Sequence, residues 1–147
     1  MFKLIYEYFY PPVQELKDFY YLSLIREQDG SFSIHGLWPQ TDPKNYPSYC
    51  KKVSFDINTL QPIMEDLKTY WYSTMEKDED FWKHEWEKHG SCVWTEMTEQ
   101  EYFFNALELY KKALENNLPI KYYNPETKKC LIPVDKNLNF IDSLPPH

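Results

Sequence analysis

The sequence FWKHEWEKHGSC, at residues 81–92, decides how the middle of the chain folds. Successive residues of an α-helix are about 100° apart, so this stretch predicts a helix with two distinct faces. The back face carries Trp82 and Trp86, one turn apart, which suits burial in a core. The front face carries four titratable side chains within an arc of about 140°: His84, Glu85, Lys88 and His89. Gly90 is predicted to end the helix.

The titratable face of this helix allows three interpretations. In the first, its charges are solvated, and Glu85 and His89 form an ordinary i,i+4 pair. In the second, they bind a metal, but the metalloprotease pattern places two histidines at i and i+4, whereas His84 and His89 are five residues apart. In the third, they carry acid–base chemistry. The third is favoured because two of the four histidines of the chain fall on one arc.

Outward from this helix, the chain predicts an α+β fold in which a central, mainly antiparallel sheet packs against several helices. Apolar stretches at 19–25 and 31–37 flank the turn-forming pair Asp29-Gly30, which indicates a β-hairpin. Two more strands are predicted, at 4–10 near the start of the chain and at 138–141 near its end.

The helices are predicted from apolar residues at steps of three and four. One helix is expected at 56–72, entered through Asp56 as its cap. The helix of the quoted stretch is expected at about 81–89. A third helix opens with a capping box at Thr98 and runs to a stop at Asn116.

Length and charge restrict the class of protein. A chain of 147 residues is long enough for one domain, and 42% hydrophobic and 18% aromatic residues indicate a packed core, so a single domain is expected over residues 1–147. The formal net charge of −7 argues against a protein that follows nucleic-acid backbones with a basic face. It does not exclude an enzyme with one locally cationic site.

A second informative stretch, FSIHGLWP at residues 32–39, holds a third histidine, His35. Cleavage of a phosphodiester next to a 2′-hydroxyl needs a base, an acid and cationic groups around a phosphorus that gains charge, and histidines and a lysine supply these without metal. The two stretches together, in this order, resemble the two active-site segments of the T2 ribonucleases. The similarity is strong over residues 4–115 and weak in the tail.

The resemblance implies a role for each titratable residue in a metal-independent RNA endonuclease that needs no cofactor. His89 is expected to be the general base on the 2′-hydroxyl, and His35 the general acid to the 5′-oxygen. Their roles would exchange when the 2′,3′-cyclic phosphate is hydrolysed to a 3′-phosphate. His84 is expected to hold the phosphate, and Glu85 and Lys88 to stabilise the pentacovalent state.

The resemblance also implies positions for two RNA bases. Trp38, with a core position as its alternative, is expected to stack on the first base, and Phe81 on the second. Tyr46 is expected to join in substrate binding. Gln40 stands where relatives have Asp or Asn for a base contact, and Tyr72 replaces a proline near the second base, so base preference is left open.

The three cysteines are far apart in sequence, which excludes a CxxC motif and leaves two states open. An oxidising compartment would give one bridge and one free thiol, whereas a reducing one would leave three thiols. The resemblance implies a bridge between Cys50 and Cys92, with two reduced, buried thiols as the alternative, and makes Cys130 the remaining thiol. Other cysteines of the family have no counterpart here.

Location and partners follow from these patterns. The resemblance implies a secreted or endolysosomal protein, whereas the start of the chain lacks a signal-peptide core, so a cytoplasmic site stays open. No stretch approaches the roughly 20 apolar residues of a membrane span. We expect a monomer that acts on single-stranded RNA. Two alternatives are a protein that sequesters RNA without turnover and an interaction protein in which catalysis is ancillary.

Overall fold

The computed structural model describes residues 12–143 and centres on a four-stranded antiparallel sheet. Its strands are β1 (Phe19–Arg26), β2 (Phe32–Gln40), β3 (Tyr123–Asn124) and β4 (Lys129–Val134), in the order β2-β1-β4-β3. The predicted α+β class with an antiparallel sheet is confirmed. The strand predicted at 4–10 lies outside the described residues.

The predicted hairpin of β1 and β2 is present, and both strands run longer than the sequence indicated. Its turn is closed by the Asp29 carboxylate, which accepts hydrogen bonds from the backbone and side chain of Ser31. Gly30 has a φ of 89°, a left-handed conformation that glycine adopts without steric cost. The hairpin therefore fixes β2 along the edge of the sheet.

Within the described residues, four α-helices follow the hairpin: α1 (Met64–Tyr70), α2 (Asp78–Lys88), α3 (Glu99–Glu115) and α4 (Leu118–Tyr122). The single helix predicted at 56–72 is wrong in its first half, where Ile57–Ile63 forms a 3₁₀ helix. Pro62 lies inside that segment and has no N–H for an α-helical bond. Asp56 caps it as predicted, by accepting a hydrogen bond from the N–H of Asn58.

The other two predicted helices are present, with small differences at their ends. The capping box of α3 has both of its bonds, from the Glu101 N–H to the Thr98 hydroxyl and from the Thr98 N–H to the Glu101 carboxylate. Helix α2 begins three residues earlier than predicted and is followed by a 3₁₀ turn at Gly90–Cys92.

The end of the described chain differs from the sequence prediction. The strand expected at 138–141 is wrong: only a single bridge, between Val134 and Phe140, forms there. Leu138 has a φ of 65°, which interrupts an extended strand, and the Asp135 carboxylate draws the backbone into a turn. The last strand is β4 instead, which pairs with the central strand β1.

The core lies between the sheet and helices α1 to α3. Trp82, on the back face of α2, is 2% exposed, and Trp86 is 6% exposed, as their spacing predicted. The Trp82 indole donates to the backbone oxygen of Trp71, and the Trp86 indole to that of Ser54. These bonds hold α2 so that its opposite face is turned toward β2. No helix within residues 12–143 is long and apolar enough to cross a membrane.

Candidate active site

His35 projects from an irregularity in β2. Ser23 pairs with Gly36 and Leu24 with Ile34, so the register passes over His35 and leaves it as the extra residue of a bulge. A bulge bends a strand and redirects a side chain, and such features are common beside active sites. The backbone oxygen of His35 accepts a hydrogen bond of 3.0 Å from the Trp71 indole, which fixes the bulge from the core side.

The titratable face of α2 combines buried and exposed groups. Glu85 is 1% exposed and His89 is 4% exposed, whereas Lys88 is half-buried and His84 is exposed. Buried ionisable side chains are rare unless they are paired or functional. Glu85 and His89 therefore do not form the solvated pair of the first interpretation.

Trp38 joins the two elements into one site. Its ring centroid lies 4.9 Å from that of His35 and 5.1 Å from that of His89, and the indole and the His89 imidazole are stacked at 24°. The structure thus brings a histidine from β2 and a histidine from the end of α2 onto a single side chain. Trp38 is half-buried, so it is not the buried core residue that the alternative interpretation expected.

The Glu85 carboxylate lies beneath this cluster. Its Oε1 accepts a hydrogen bond of 2.8 Å from the Trp38 indole. The contact needs a glycine at position 36, because a Cβ there would lie 2.1 Å from the same oxygen and 2.5 Å from the indole nitrogen. Burial raises the pKa of Glu85 to about 7, against the lowering effects of the Trp38 bond and of Lys88. In mildly acidic solution the carboxyl is therefore neutral.

His89 is held as a neutral imidazole. Burial, and then the positive charge of Lys88, lowers its pKa from 6.5 to about 3. Its Nδ1 atom is buried and has no hydrogen-bond partner among the described residues. A buried polar atom without a partner costs about 1 to 3 kcal/mol, so a ligand that bonded it would recover that energy.

The pKa of His35 is also lowered. The largest cause is burial, followed by the nearby charges of His84 and Lys88. The positive charges of His84 and Lys88 therefore oppose the protonation of both His35 and His89. An anion bound among them would reverse this effect and raise the pKa values of the imidazoles.

The residues predicted to bind bases flank the histidines on two sides. The ring centroid of Tyr46, which is 49% exposed, lies 5.8 Å from that of His89, and the Lys88 Nζ lies 5.6 Å from the Tyr46 ring. On the other side, the Phe81 ring is 5.7 Å from that of His35. It lines a cavity of about 260 Å³ whose polar lining includes Glu27.

Gln40 lies apart from this open surface. It is 3% exposed, and its amide donates to the backbone oxygens of Asp42 and Asn45. These bonds shape the loop that carries Tyr46. In this structure Gln40 supports a predicted base-binding residue and does not itself face the cavity.

The bridge between Cys50 and Cys92 is present, and Cys130 is the free, buried cysteine. The bridge joins the loop after β2 to the turn after α2. It closes a sequence separation of 42 residues, which corresponds to about 4 kcal/mol in the chain-entropy account of disulfides. It thereby ties Tyr46 and Lys88 to one another.

Sequence reasoning missed the groups that support the site. The hydroxyl of Tyr102 donates to the Leu37 oxygen and the indole of Trp71 to that of His35, so both hold β2 from the core. Apolar spacing marks these two residues only as core positions. Gly36 carried a stronger signal, since it is one of only three glycines and follows a candidate catalytic histidine.

Within residues 12–143, no group of three or more His, Cys, Asp or Glu side chains is arranged to hold a metal ion. The site is instead built from imidazoles, one buried carboxyl and one ammonium group around an indole.

An antiparallel sheet whose bulged edge strand carries one histidine, near two more on and after a helix, defines an α+β domain with a cluster of titratable side chains. The chain belongs to the Ribonuclease T2 family, whose model matches residues 6–130.

Individual proteins agree with this assignment. The chain is 40% identical over 82 residues to Ribonuclease DdI of Dictyostelium discoideum. This alignment covers 54% of this chain and 37% of that protein. It is 33% identical over 87 residues to a ribonuclease-like storage protein of Panax ginseng, and that alignment covers 58% of this chain and 36% of the ginseng protein. The matched stretch thus spans little more than a third of these relatives. Among solved structures, RNase NT in complex with 5′-AMP has a TM-score of 0.66 at 24% identity, covering 90% of this chain and 94% of that one, which shows a shared fold.

Proposed function

We propose that residues 1–147 form a single catalytic domain that cleaves single-stranded RNA internally without a metal or other cofactor. The observation that carries the proposal is the contact of both His35 and His89 with the Trp38 ring. A general acid and a general base held near one another are what an in-line displacement at phosphorus requires.

In the first step, neutral His89 takes the proton from a ribose 2′-hydroxyl. The 2′-oxygen forms a bond to the adjacent phosphorus, and the bond from phosphorus to the 5′-oxygen breaks. Protonated His35 gives its proton to that departing oxygen. The low pKa of His89 keeps it unprotonated, and the anionic phosphate raises this pKa as the substrate binds, which makes His89 a stronger base.

In the second step the histidines exchange roles. His35, now neutral, takes a proton from water, whose oxygen attacks the phosphorus of the 2′,3′-cyclic phosphate. The bond to the 2′-oxygen breaks, and His89 returns its proton there. The products are a 3′-phosphate and a regenerated pair of histidines.

The remaining groups stabilise charge on the phosphate. Lys88 and exposed His84 lie close enough to act electrostatically on both His35 and His89, and so they can act on a phosphate between them. The raised pKa of Glu85 keeps this carboxyl neutral in mildly acidic solution, where it can donate a hydrogen bond to a phosphoryl oxygen without repelling it.

Stacking supplies affinity that the acidic chain cannot obtain from charge alone. The exposed ring of Tyr46 and the half-buried ring of Trp38 lie beside His89, and Phe81 lies beside His35. We therefore place the base on the 5′ side of the cleaved bond against Trp38 and Tyr46, and the base on its 3′ side against Phe81. Aromatic stacking tolerates every base, which suits an endonuclease of broad specificity.

The disulfide supports an oxidising location, secreted or endolysosomal, because such bridges are rare in the cytosol. We propose that the protein acts there as a monomer, since one chain supplies both histidines that contact Trp38.

The test is digestion of a defined RNA in EDTA, followed by analysis of the ends. The expected products carry 2′,3′-cyclic phosphate and then 3′-phosphate. His35→Ala and His89→Ala should each lower the rate by about 10²- to 10⁴-fold. His147→Ala, outside the two motif segments, is the matched control. Full activity of the His89 variant would refute the proposed mechanism.

The alternative is an RNA-sequestering or interaction protein with ancillary catalysis, and the storage-protein name of the ginseng relative makes it worth testing. It predicts tight RNA binding with no cleavage between about pH 4 and pH 8. The presence of all five catalytic-type side chains in one site favours the enzyme.

A further inference from the structure

A second cationic surface lies next to the proposed active site. It is an open depression of about 340 Å³ lined by Tyr49, Lys51, Lys52, Val53 and Glu87, which we call the lysine cradle. Tyr49 is 59% exposed, and both lysines are exposed. Within the described part of the chain, neither lysine has an ion-pair partner.

The cradle is attached to the active site by specific bonds. The Tyr49 N–H donates to the Lys88 oxygen at 2.9 Å, and the Cys50 N–H donates to the Ser91 hydroxyl at 3.0 Å. Cys50, whose side chain forms the disulfide, immediately precedes the two lysines in sequence. The cradle is therefore continuous with the end of α2, where Lys88 and His89 lie.

Tyr49 is held in an unusual conformation. Its φ of 48° is left-handed, a conformation that is sterically unfavourable for a bulky residue. The Lys88 bond and the neighbouring disulfide maintain this conformation, and the ring remains in solvent. Strained residues of this kind concentrate at binding sites.

We infer that the lysine cradle binds the RNA nucleotide upstream, on the 5′ side, of the one that stacks on Trp38 and Tyr46. An exposed aromatic ring beside two unpaired lysines is the combination that binds single-stranded nucleic acid, by stacking on a base and by contacts to phosphates. The chain as a whole carries a net charge of −7, but the two lysines make this surface locally cationic. Such a surface attracts an anion.

The direction follows from the placement of the histidines. The cradle is bonded to the end of α2 that precedes His89, and none of its lining residues lines the cavity of His35 and Phe81. In the proposed function, on which this inference rests, His89 faces the 2′-hydroxyl of the 5′ nucleotide. RNA that continues past that nucleotide toward its 5′ end therefore reaches Tyr49 and the lysines.

The test compares a dinucleotide with the same dinucleotide extended by two residues at its 5′ or its 3′ end. In the unaltered protein, 5′ extension should raise kcat/KM by about 10-fold, and 3′ extension should raise it less. The double variant Lys51→Gln, Lys52→Gln should lose the 5′ gain and keep dinucleotide cleavage unchanged. For this double variant, the slope of log Kd against log salt concentration should be smaller by about 1.4, because two phosphate contacts are lost.

The matched control is Lys128→Gln, Lys129→Gln, which removes an adjacent, exposed lysine pair from the β3–β4 hairpin at the other end of the sheet. Tyr49→Gly removes the ring while permitting the φ, and it should also reduce the 5′ gain. Equal effects of the two lysine pairs, or an unchanged 5′ gain in the cradle variant, would overturn the inference.

Binding of a 2′-deoxy oligonucleotide, measured by fluorescence anisotropy, separates the cradle from catalysis. If the protein cleaves no RNA, the proposed function fails, but weaker binding by the cradle variant alone would still support the cradle. Equal binding by both lysine variants would overturn it. Displacement of the oligonucleotide by polyglutamate as effectively as by RNA would reassign the surface to an acidic protein partner, and so overturn it too.

Discussion

Replacement of Glu85 by glutamine tests the buried carboxyl at the centre of the site. Burial raises the pKa of Glu85 from 4.5 to about 7, so the folded state holds a proton that the unfolded state has released between these pH values. The contribution of Glu85 to the free energy of unfolding must then fall as pH rises through this range. A shift of this size corresponds to about 3 kcal/mol of stability lost at pH 8.

Glutamine is neutral at every pH and keeps an oxygen that can accept the Trp38 hydrogen bond. Glu85→Gln and the unaltered protein should therefore have similar stability near pH 4, whereas the variant should be more stable by about 3 kcal/mol at pH 8. His89 titrates in both proteins, so its contribution cancels in the difference. Urea unfolding followed by tryptophan fluorescence, with the disulfide intact, measures both values.

Glu87→Gln is the control, because it removes the same charge from the same helix at a half-buried position. This substitution should change the free energy of unfolding by less than about 1 kcal/mol at pH 8, as expected for the loss of a partly solvated charge. A constant difference for Glu85→Gln between pH 4 and pH 8 would refute the argument that burial keeps this carboxyl neutral.

Three further predictions concern pH, the disulfide and the bulge. A plot of kcat/KM against pH should rise through about 3, as His89 loses its proton, and fall above a pKa below 6.5, as His35 loses its own; an optimum above pH 7 would contradict this. Cys50→Ser with Cys92→Ser should lower the free energy of unfolding by about 4 kcal/mol in urea titrations, and a loss below about 1 kcal/mol would show that the bridge constrains little. Gly36→Ala should destabilise the fold by at least about 1 to 3 kcal/mol in the same assay, whereas unchanged stability would mean that Glu85 moves freely.

Local chemistry explains what the sequence could predict of this fold. The two faces of α2, the capping box at Thr98 and the hairpin around Gly30 depend on residues near one another in the chain, and each is present. The 3₁₀ segment around Pro62 was predictable in principle from proline chemistry. By contrast, β4 pairs with a strand more than 100 residues earlier. No local pattern therefore distinguishes β4 from residues 138–141, where a strand was predicted and does not form.

The site was predictable in composition but not in geometry. Spacing on a helix placed Glu85 and His89 on one face, and the motif brought His35 and Trp38 under consideration. The bulge that redirects His35 and the indole bond that holds Glu85 arise from tertiary packing. Burial in this packing is also the largest cause of two pKa shifts, because it lowers the pKa of His89 and raises that of Glu85.

The assignment of His35 as acid and His89 as base is tested most directly by changing the leaving group. A uridine 3′-phosphodiester of p-nitrophenol releases a phenolate that needs little protonation, whereas a dinucleotide releases an alkoxide that must be protonated. His35→Ala should lower kcat/KM by about 10²- to 10⁴-fold for the dinucleotide but by less than about 10-fold for the nitrophenyl ester, and His89→Ala should impair both. Equal losses for the two variants with both substrates would contradict the proposed roles.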